Sequence, residues 1–215
     1  MRRALAEDPD LSSFFSRIDV VESTGSTNAD LIARAADPAA DHQVLIAEYQ
    51  DSGRGRHDRS WVCPARAQVA MSILVRLRGI DPPVLGWLPL LTGVAIVDAV
   101  RETTGLDAKL KWPNDILIDG RKTAGILAEV ATAAAEPAVV VGIGLNVSLT
   151  EAELPVPHAI SLELAGAGPV DRTELALAML RSFARHITEW RSRDWDIAGP
   201  AREYRRRCAT LGAQV

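Results

Sequence analysis

Residues 114–130, NDILIDGRKTAGILAEV, decide the fold class of this chain. Two runs of β-prone residues are separated by Asp119 and Gly120, and an Asp-Gly pair in this position is a strong signal of a two-residue hairpin turn. The stretch therefore predicts two antiparallel strands joined by a tight turn. Lys122 should lie just beyond that turn, on the second strand.

Further strand and helix patterns surround the hairpin. Strand patterns occur at residues 15–23, 42–50, 68–78, 108–113 and 137–149. Helical patterns occur at residues 25–36, where Ser26, Thr27 or Asn28 can cap the helix, and at residues 170–193. Together these elements predict an α+β fold in which a mixed, mainly antiparallel β-sheet is covered by helices on one side.

Composition narrows the possible functions. The chain has 215 residues, of which 47% are hydrophobic, enough for one sizeable core. A formal net charge of -4 and a pI of about 5.6 provide no general attraction to nucleic acid or to an anionic membrane. The two cysteines are far apart in sequence, and no signal-peptide pattern follows the N-terminus. We therefore expect a cytoplasmic protein without zinc or redox chemistry.

The most apolar segment, residues 84–100, is VLGWLPLLTGVAIVDAV. It falls short of the roughly 20 consecutive apolar residues that a membrane-spanning helix needs. Pro89, Gly93 and Asp98 also interrupt it. We expect a buried helix here and no membrane partner.

Residues 48–61, EYQDSGRGRHDRSW, concentrate positive charge in one loop between two predicted strands. Arg54, Arg56 and Arg59 offer planar charged donors that match phosphate or carboxylate oxygens, and Gly53 and Gly55 let backbone amides approach the same anion. A solvated surface loop is the alternative interpretation, and charge density alone does not decide between the two.

A second polar group occurs at residues 111–115, KWPND, where a proline-containing turn carries Asn114 and Asp115. Ordinary turn chemistry is the alternative here.

Common nucleotide motifs do not fit the chain. GIGLNV has Val147 in place of the third glycine of a dinucleotide fingerprint, and DGRKT lacks the glycines of a P-loop.

Four motifs in combination are more informative. Residues 25–31, 48–61, 110–130 and 140–147, in this order and at these separations, resemble the biotin protein ligase family, also named biotin-[acetyl-CoA-carboxylase] ligase. The resemblance implies the biotin/lipoate ligase catalytic fold, which is similar to class II aminoacyl-tRNA synthetases. It also implies two steps: biotin and ATP give biotinoyl-5'-AMP, and a lysine of a biotin carboxyl carrier domain then takes the biotinoyl group.

The resemblance assigns candidate site residues by position. The biotin-binding positions are Ser26, Thr27, Asn28, Gln50, Arg54 through its backbone, Gly125 and Gly142. The ATP and adenylate positions are Arg56, Arg59, Trp61, Asn114, Asp115, Lys122 and Asn146. Lys122 and Arg56 are the expected catalytic residues, with Lys122 bridging the biotin carboxyl and the α-phosphate. Mg²⁺ is expected as a hydrated ion held mainly by phosphates, without an all-protein metal site.

Two departures from the family pattern affect these expectations. Asp58 stands where the family loop has glycine, so its carboxylate is expected to weaken the anion site. Residues 1–207 are interpreted as the catalytic domain and residues 208–215 as the start of a missing SH3-like domain. No N-terminal helix-turn-helix is expected either. We therefore predict a monofunctional enzyme that is monomeric or weakly dimeric. Its partner should be a carboxylase carrier domain, and no nucleic-acid partner is expected.

Two other functions remain open. A shortened domain could bind biotin or biotinoyl-AMP with little or no transfer. A lipoate ligase shares the fold and the adenylate chemistry, but its R-R-x-x-G-G-G pattern and following His-Asp pair do not occur here.

Overall fold

The computed structural model describes residues 1–132 and 137–212, and the side chains of Asp58 and Thr132 lie outside the described part. The helices are α1 (Arg2–Ala6), α2 (Pro9–Phe14), α3 (Thr27–Arg34), α4 (Trp87–Thr104), α5 (Arg172–Ser192) and α6 (Ala198–Arg207). The strands are β1 (Arg17–Val21), β2 (Gln43–Ala47), β3 (Gln68–Arg76), β4 (Lys109–Lys111), β5 (Asp115–Ile118), β6 (Arg121–Thr132) and β7 (Ala138–Asn146).

The strands form one seven-stranded sheet in the order β1-β2-β3-β7-β6-β5-β4. Only the β1–β2 pair is parallel, and the crossover between these two strands contains α3. All the other neighbouring pairs are antiparallel. The predicted mixed, mainly antiparallel sheet is therefore confirmed.

The hairpin predicted at Asp119 and Gly120 is present in the structure. Asp119 and Gly120 have φ values of 51° and 78°, which is the left-handed conformation that this turn requires. Ile118 pairs with Arg121 on either side of the turn, and Lys122 follows on β6. The turn thus fixes the position of Lys122 along β6.

Helices α4 and α5 pack together on one face of the sheet and supply much of the helical side of the core. One face of α5 carries four buried side chains, Leu175, Met179, Phe183 and Ile187. Residues 82–104 are long and apolar enough to cross a membrane, with a mean hydropathy of 1.7, yet 56% of that window is buried inside the protein. This segment contacts α5, α6 and the sheet, as expected for a core helix.

One part of the fold prediction is wrong, because helices cover both faces of the sheet. Helix α3 lies on the face opposite α4 and α5, where Leu31 packs with Leu45, Leu74 and Val140. Side chains alternate along a strand, so Leu45 points away from the main core while its neighbours point into it. A continuous apolar run such as β3 is buried on both faces and requires this second layer.

Candidate active site

A cleft of about 640 Å³ lies between the arginine loop and strands β5, β6 and β7. Every residue assigned to the site from the sequence lines this one cleft. The set comprises Ser26, Thr27, Asn28, Gln50, Arg54, Arg56, Arg59, Trp61, Asn114, Asp115, Lys122, Gly125, Gly142 and Asn146. Residues separated by more than one hundred positions in sequence are thus brought together, although their individual roles stay predictions.

The N-terminus of α3 forms one wall of the cleft. Ser26 is the N-cap, and its hydroxyl accepts a hydrogen bond from the Ala29 backbone. Gln50 Oε1 accepts a hydrogen bond from the backbone amide of Thr27 at 2.8 Å and lies 3.0 Å from the Thr27 hydroxyl. These contacts place buried hydroxyl and amide groups against the cleft, where they can recognise a polar head group.

The arginine loop is a compact turn that folds back on itself. Trp61 N donates to Gly53 O at 2.8 Å, and Gly55 N donates to Arg59 O at 2.7 Å. A Cβ atom on Gly53 would lie 2.3 Å from Trp61 O, so no other residue fits there without a backbone shift. Because β2 and β3 are interior strands, the loop leaves the end of the sheet and covers the cleft.

Cationic and polar groups face each other across the cleft. Arg56 Nη1 donates to Asn114 Oδ1 at 3.3 Å, which connects the loop to the turn before β5. Lys122 Nζ lies 2.6 Å from Asp115 Oδ1 and 5.6 Å from the centroid of the Trp61 ring. The Lys122 side chain is 26% exposed, so its charge is partly desolvated but accessible. Such an arrangement suits an anionic ligand.

Residues 158–160 form a wall that the sequence did not reveal. Lys122 N donates to His158 O at 2.7 Å, and Ile160 N donates to Lys122 O at 2.9 Å. Asn146 Nδ2 donates to Ile160 O at 3.2 Å. This segment therefore holds two predicted site residues, Lys122 and Asn146, in place.

Three glycines on β6 and β7 make room for side chains over the sheet. A Cβ on Gly142 would lie 2.2 Å from Asn28 Oδ1, and a Cβ on Gly144 would lie 2.4 Å from Trp61 Cε2. A Cβ on Gly125 would lie 3.1 Å from Trp61 and 3.3 Å from Lys122 Nζ. Gly144 was missed, although it lies in the quoted GIGLNV motif.

Two polar residues at the site were also missed. Gln68 is buried, and its Oε1 accepts a hydrogen bond from Trp61 Nε1 at 2.6 Å. Glu129 Oε1 lies 2.7 Å from Arg54 Nη2. The period of two along a strand puts Glu129 on the same side of β6 as Gly125, a signal that could have identified it.

The described part of the chain contains no group of three or more His, Cys, Asp or Glu residues that could hold a metal ion. Burial raises the pKa of the Cys63 thiol to about 12, so a thiolate nucleophile is not available there. The Asp58 side chain lies outside the described residues, and its expected effect on the anion site stays a prediction.

Comparison with known proteins agrees with this geometry. Residues 20–146 match the model of the biotin/lipoate A/B protein ligase family. This chain belongs to that family. The biotin-[acetyl-CoA-carboxylase] ligase of Mycobacterium tuberculosis is 44% identical over 207 residues, which cover 94% of this chain and 75% of the relative. The resemblance seen in the sequence is confirmed.

Other family members differ in length. The bifunctional ligase/repressor BirA of Bacillus subtilis is 34% identical over 178 residues, and the match covers 80% of this chain but only 53% of that protein. A biotin protein ligase from Aquifex aeolicus, solved in complex with biotin and ATP, superposes with a TM-score of 0.70 at 26% identity, covering 86% of this chain and 76% of that one. The family fold of the sheet and its helices is therefore confirmed.

Proposed function

We propose that this chain is an ATP-dependent biotin protein ligase, which makes biotinoyl-5'-AMP and transfers the biotinoyl group to a lysine of a carrier domain. The observation that carries the proposal is the single cleft in which Lys122 and the loop arginines meet the polar N-terminus of α3. The family relationship supports the same conclusion, since the M. tuberculosis relative is named for this activity.

Recognition of biotin is assigned to the α3 side of the cleft. Thr27, Asn28 and Gln50 offer donors and acceptors that can pair with the ureido group of biotin. Glycines 125 and 142 allow ligand and side chains to come close to the strands. The apolar side chain of Leu127, which lies on the same side of β6 as Gly125 and also lines the cleft, suits the aliphatic part of the molecule.

Adenylate formation is assigned to the cationic side. A carboxylate oxygen of biotin attacks the α-phosphorus of ATP, the bond to the bridging oxygen of pyrophosphate breaks, and pyrophosphate leaves. Both reactants are anions, so their approach requires neutralisation. Lys122 is positioned by the hairpin turn and by Asp115, and Arg56 approaches from the loop. Mg²⁺, when bound to the phosphates, adds further positive charge.

Acyl transfer needs no covalent enzyme intermediate. The neutral amine of a carrier lysine attacks the acyl carbon, the bond to the phosphate oxygen breaks, and AMP leaves while the amine loses a proton. The chain has to orient the mixed anhydride and shield it from water, which the loop covering the cleft can do. A carboxylase carrier domain is therefore the proposed partner, and a cytoplasmic location and a monomeric or weakly dimeric state stay predictions.

The proposal is tested by incubating the chain with ATP, Mg²⁺, biotin and a purified biotin carboxyl carrier domain. Mass spectrometry should show one biotinoyl group on the carrier lysine, and a carrier with that lysine changed to arginine should remain unlabelled. Pyrophosphate release without carrier labelling would support the alternative of a domain that activates or binds biotin without transfer. Labelling by lipoate in preference to biotin would contradict the proposal.

A further inference from the structure

Glu129 connects two parts of the cleft that are distant in sequence. Its Oε1 pairs with Arg54 Nη2 of the arginine loop at 2.7 Å, and its Oε2 accepts a hydrogen bond from Asn28 Nδ2 of α3 at 2.8 Å. Glu129 lines an adjoining pocket that shares Gln50, Arg54 and Trp61 with the cleft of the predicted site residues. Through its two contacts it can influence a ligand bound on the α3 side of the cleft.

The carboxylate fixes the orientation of the Asn28 amide. Asn28 Nδ2 donates to Glu129 and to Leu127 O, while Asn28 Oδ1 accepts from Ser72 Oγ at 2.6 Å. A flipped amide would set its oxygen against a carboxylate and a carbonyl, which repel it. Asn28 lies directly over Gly142, where a Cβ atom would be only 2.2 Å from Asn28 Oδ1, so this placement of the amide requires glycine at residue 142.

The hydrogen bonds continue from Asn28 through Ser72 to Thr27. Ser72 gives its only hydroxyl proton to Asn28, so Ser72 Oγ accepts from Thr27 Oγ1 at 2.7 Å. Gln50 Oε1 accepts from the Thr27 backbone, which sets the direction of the Gln50 amide as well. The polar groups that face the cleft thus have a defined pattern of donors and acceptors.

The two contacts of Glu129 differ in expected importance. The Arg54 side chain is 48% exposed, and an ion pair with such a group contributes little because water screens it. Asn28 is only 4% exposed, so replacing the acceptor that faces Asn28 Nδ2 with a second donor would cost free energy that water cannot recover. The contact with Asn28 should dominate the effect on ligand binding, and the contact with Arg54 should dominate the position of the loop.

From these contacts we infer that Glu129 is a positioning residue for biotin, which sets the Asn28 amide and tethers the arginine loop over the cleft. The inference rests on the proposed function, because it assumes that biotin occupies the α3 side. It adds Glu129, which the sequence did not identify, to the determinants of biotin affinity.

The test uses Glu129→Gln, which keeps the shape of the side chain. The new carboxamide has one oxygen, so either Arg54 or Asn28 must face its NH₂ group. We expect the dissociation constant for biotin, measured by calorimetry without ATP, to rise about tenfold, with the KM for ATP changed by less than about twofold. Trypsin should cleave after Arg56 and Arg59 faster than in the wild type.

Glu22→Gln is the matched control. It removes an ion pair of similar length, 2.8 Å to Arg66, at an exposed position away from the cleft, and also removes one negative charge. Biotin affinity and loop cleavage should stay at wild-type values. A change in the control equal to that in Glu129→Gln would attribute the effect to net charge and overturn the inference.

Arg54→Gln separates the two contacts and does not depend on the stability of Glu129→Gln. It keeps the bond between Glu129 and Asn28, so loop cleavage should increase while biotin affinity falls less than in Glu129→Gln. Wild-type affinity in Glu129→Gln, or an equal loss in both variants, would refute the role of Asn28. If the wild-type chain bound no biotin at all, the proposed function itself would fail.

Discussion

The substitution Gly144→Ala should disturb the position of Trp61 without damaging the strand. A Cβ at residue 144 would lie 2.4 to 2.7 Å from three atoms of the indole, whereas ordinary carbon contacts begin near 3.4 Å. The indole therefore has to move by about 1 Å or more. The backbone of β7 accepts alanine readily, because Gly144 has no positive φ.

The magnitude follows from the hydrogen bond that this movement breaks. Trp61 Nε1 donates to Gln68 Oε1, and Gln68 is only 1% exposed. Leaving a buried acceptor without its partner costs about 1–3 kcal/mol. This free energy makes the conformation with the indole in its original position roughly 5- to 150-fold less populated. Binding of a non-hydrolysable biotinoyl-AMP analogue should weaken by a similar factor, while the thermal midpoint changes little because Trp61 belongs to the loop.

Nuclear magnetic resonance provides a direct assay, since the chain has 5 tryptophans and hence five indole N–H signals. Trp61→Phe assigns the Trp61 signal, and Gly144→Ala should shift that signal most. Gly199→Ala is the control, because a Cβ there meets nothing closer than 3.8 Å. The reasoning is refuted if the Trp61 signal and analogue affinity stay unchanged, or if Gly144→Ala weakens binding equally in a Trp61→Ala background.

Three further predictions concern charge. Lys122→Gln should slow single-turnover formation of biotinoyl-AMP by about 10²–10³-fold through loss of a positioned cation, and an equal rate for the variant would exclude the catalytic role. Asp58→Gly should tighten binding of the adenylate analogue, and equal calorimetric constants would count against an inhibitory carboxylate. For Asp98, burial acts to raise the pKa, but hydrogen bonds from His186 and Arg207 outweigh it and keep the pKa below 3.8. Because a lowered pKa stabilises the fold only above the unfolded value, Asp98→Asn should reduce the unfolding free energy at pH 6, and this difference should disappear as the pH falls through the lowered pKa.

The prediction from sequence succeeded where local rules apply. The hairpin depends on two residues with positive φ, and the α3 N-cap depends on Ser26 and the backbone three residues later. The residues assigned from four motifs all line one cleft, because each motif lies on or next to a strand or helix that reaches it.

The sequence did not predict which groups would meet across the sheet. The hydrophobic pattern of α3 would allow this helix to pack on either face of the sheet. Only the crossover between β1 and β2 places it on the face opposite α4. Likewise, nothing in the sequence of residues 158–160 indicates that their backbone pairs with Lys122 on β6.

The sequence alone therefore determined the elements, the hairpin register and the set of chemical groups available at the site, because these follow from interactions within a few residues of the chain. Tertiary structure decided that Glu129 joins Arg54 to Asn28, and that Gly144 accommodates the ring of Trp61. These contacts link residues 75 and 101 positions apart in the case of Glu129, so they depend on the path of the whole chain and not on local preference.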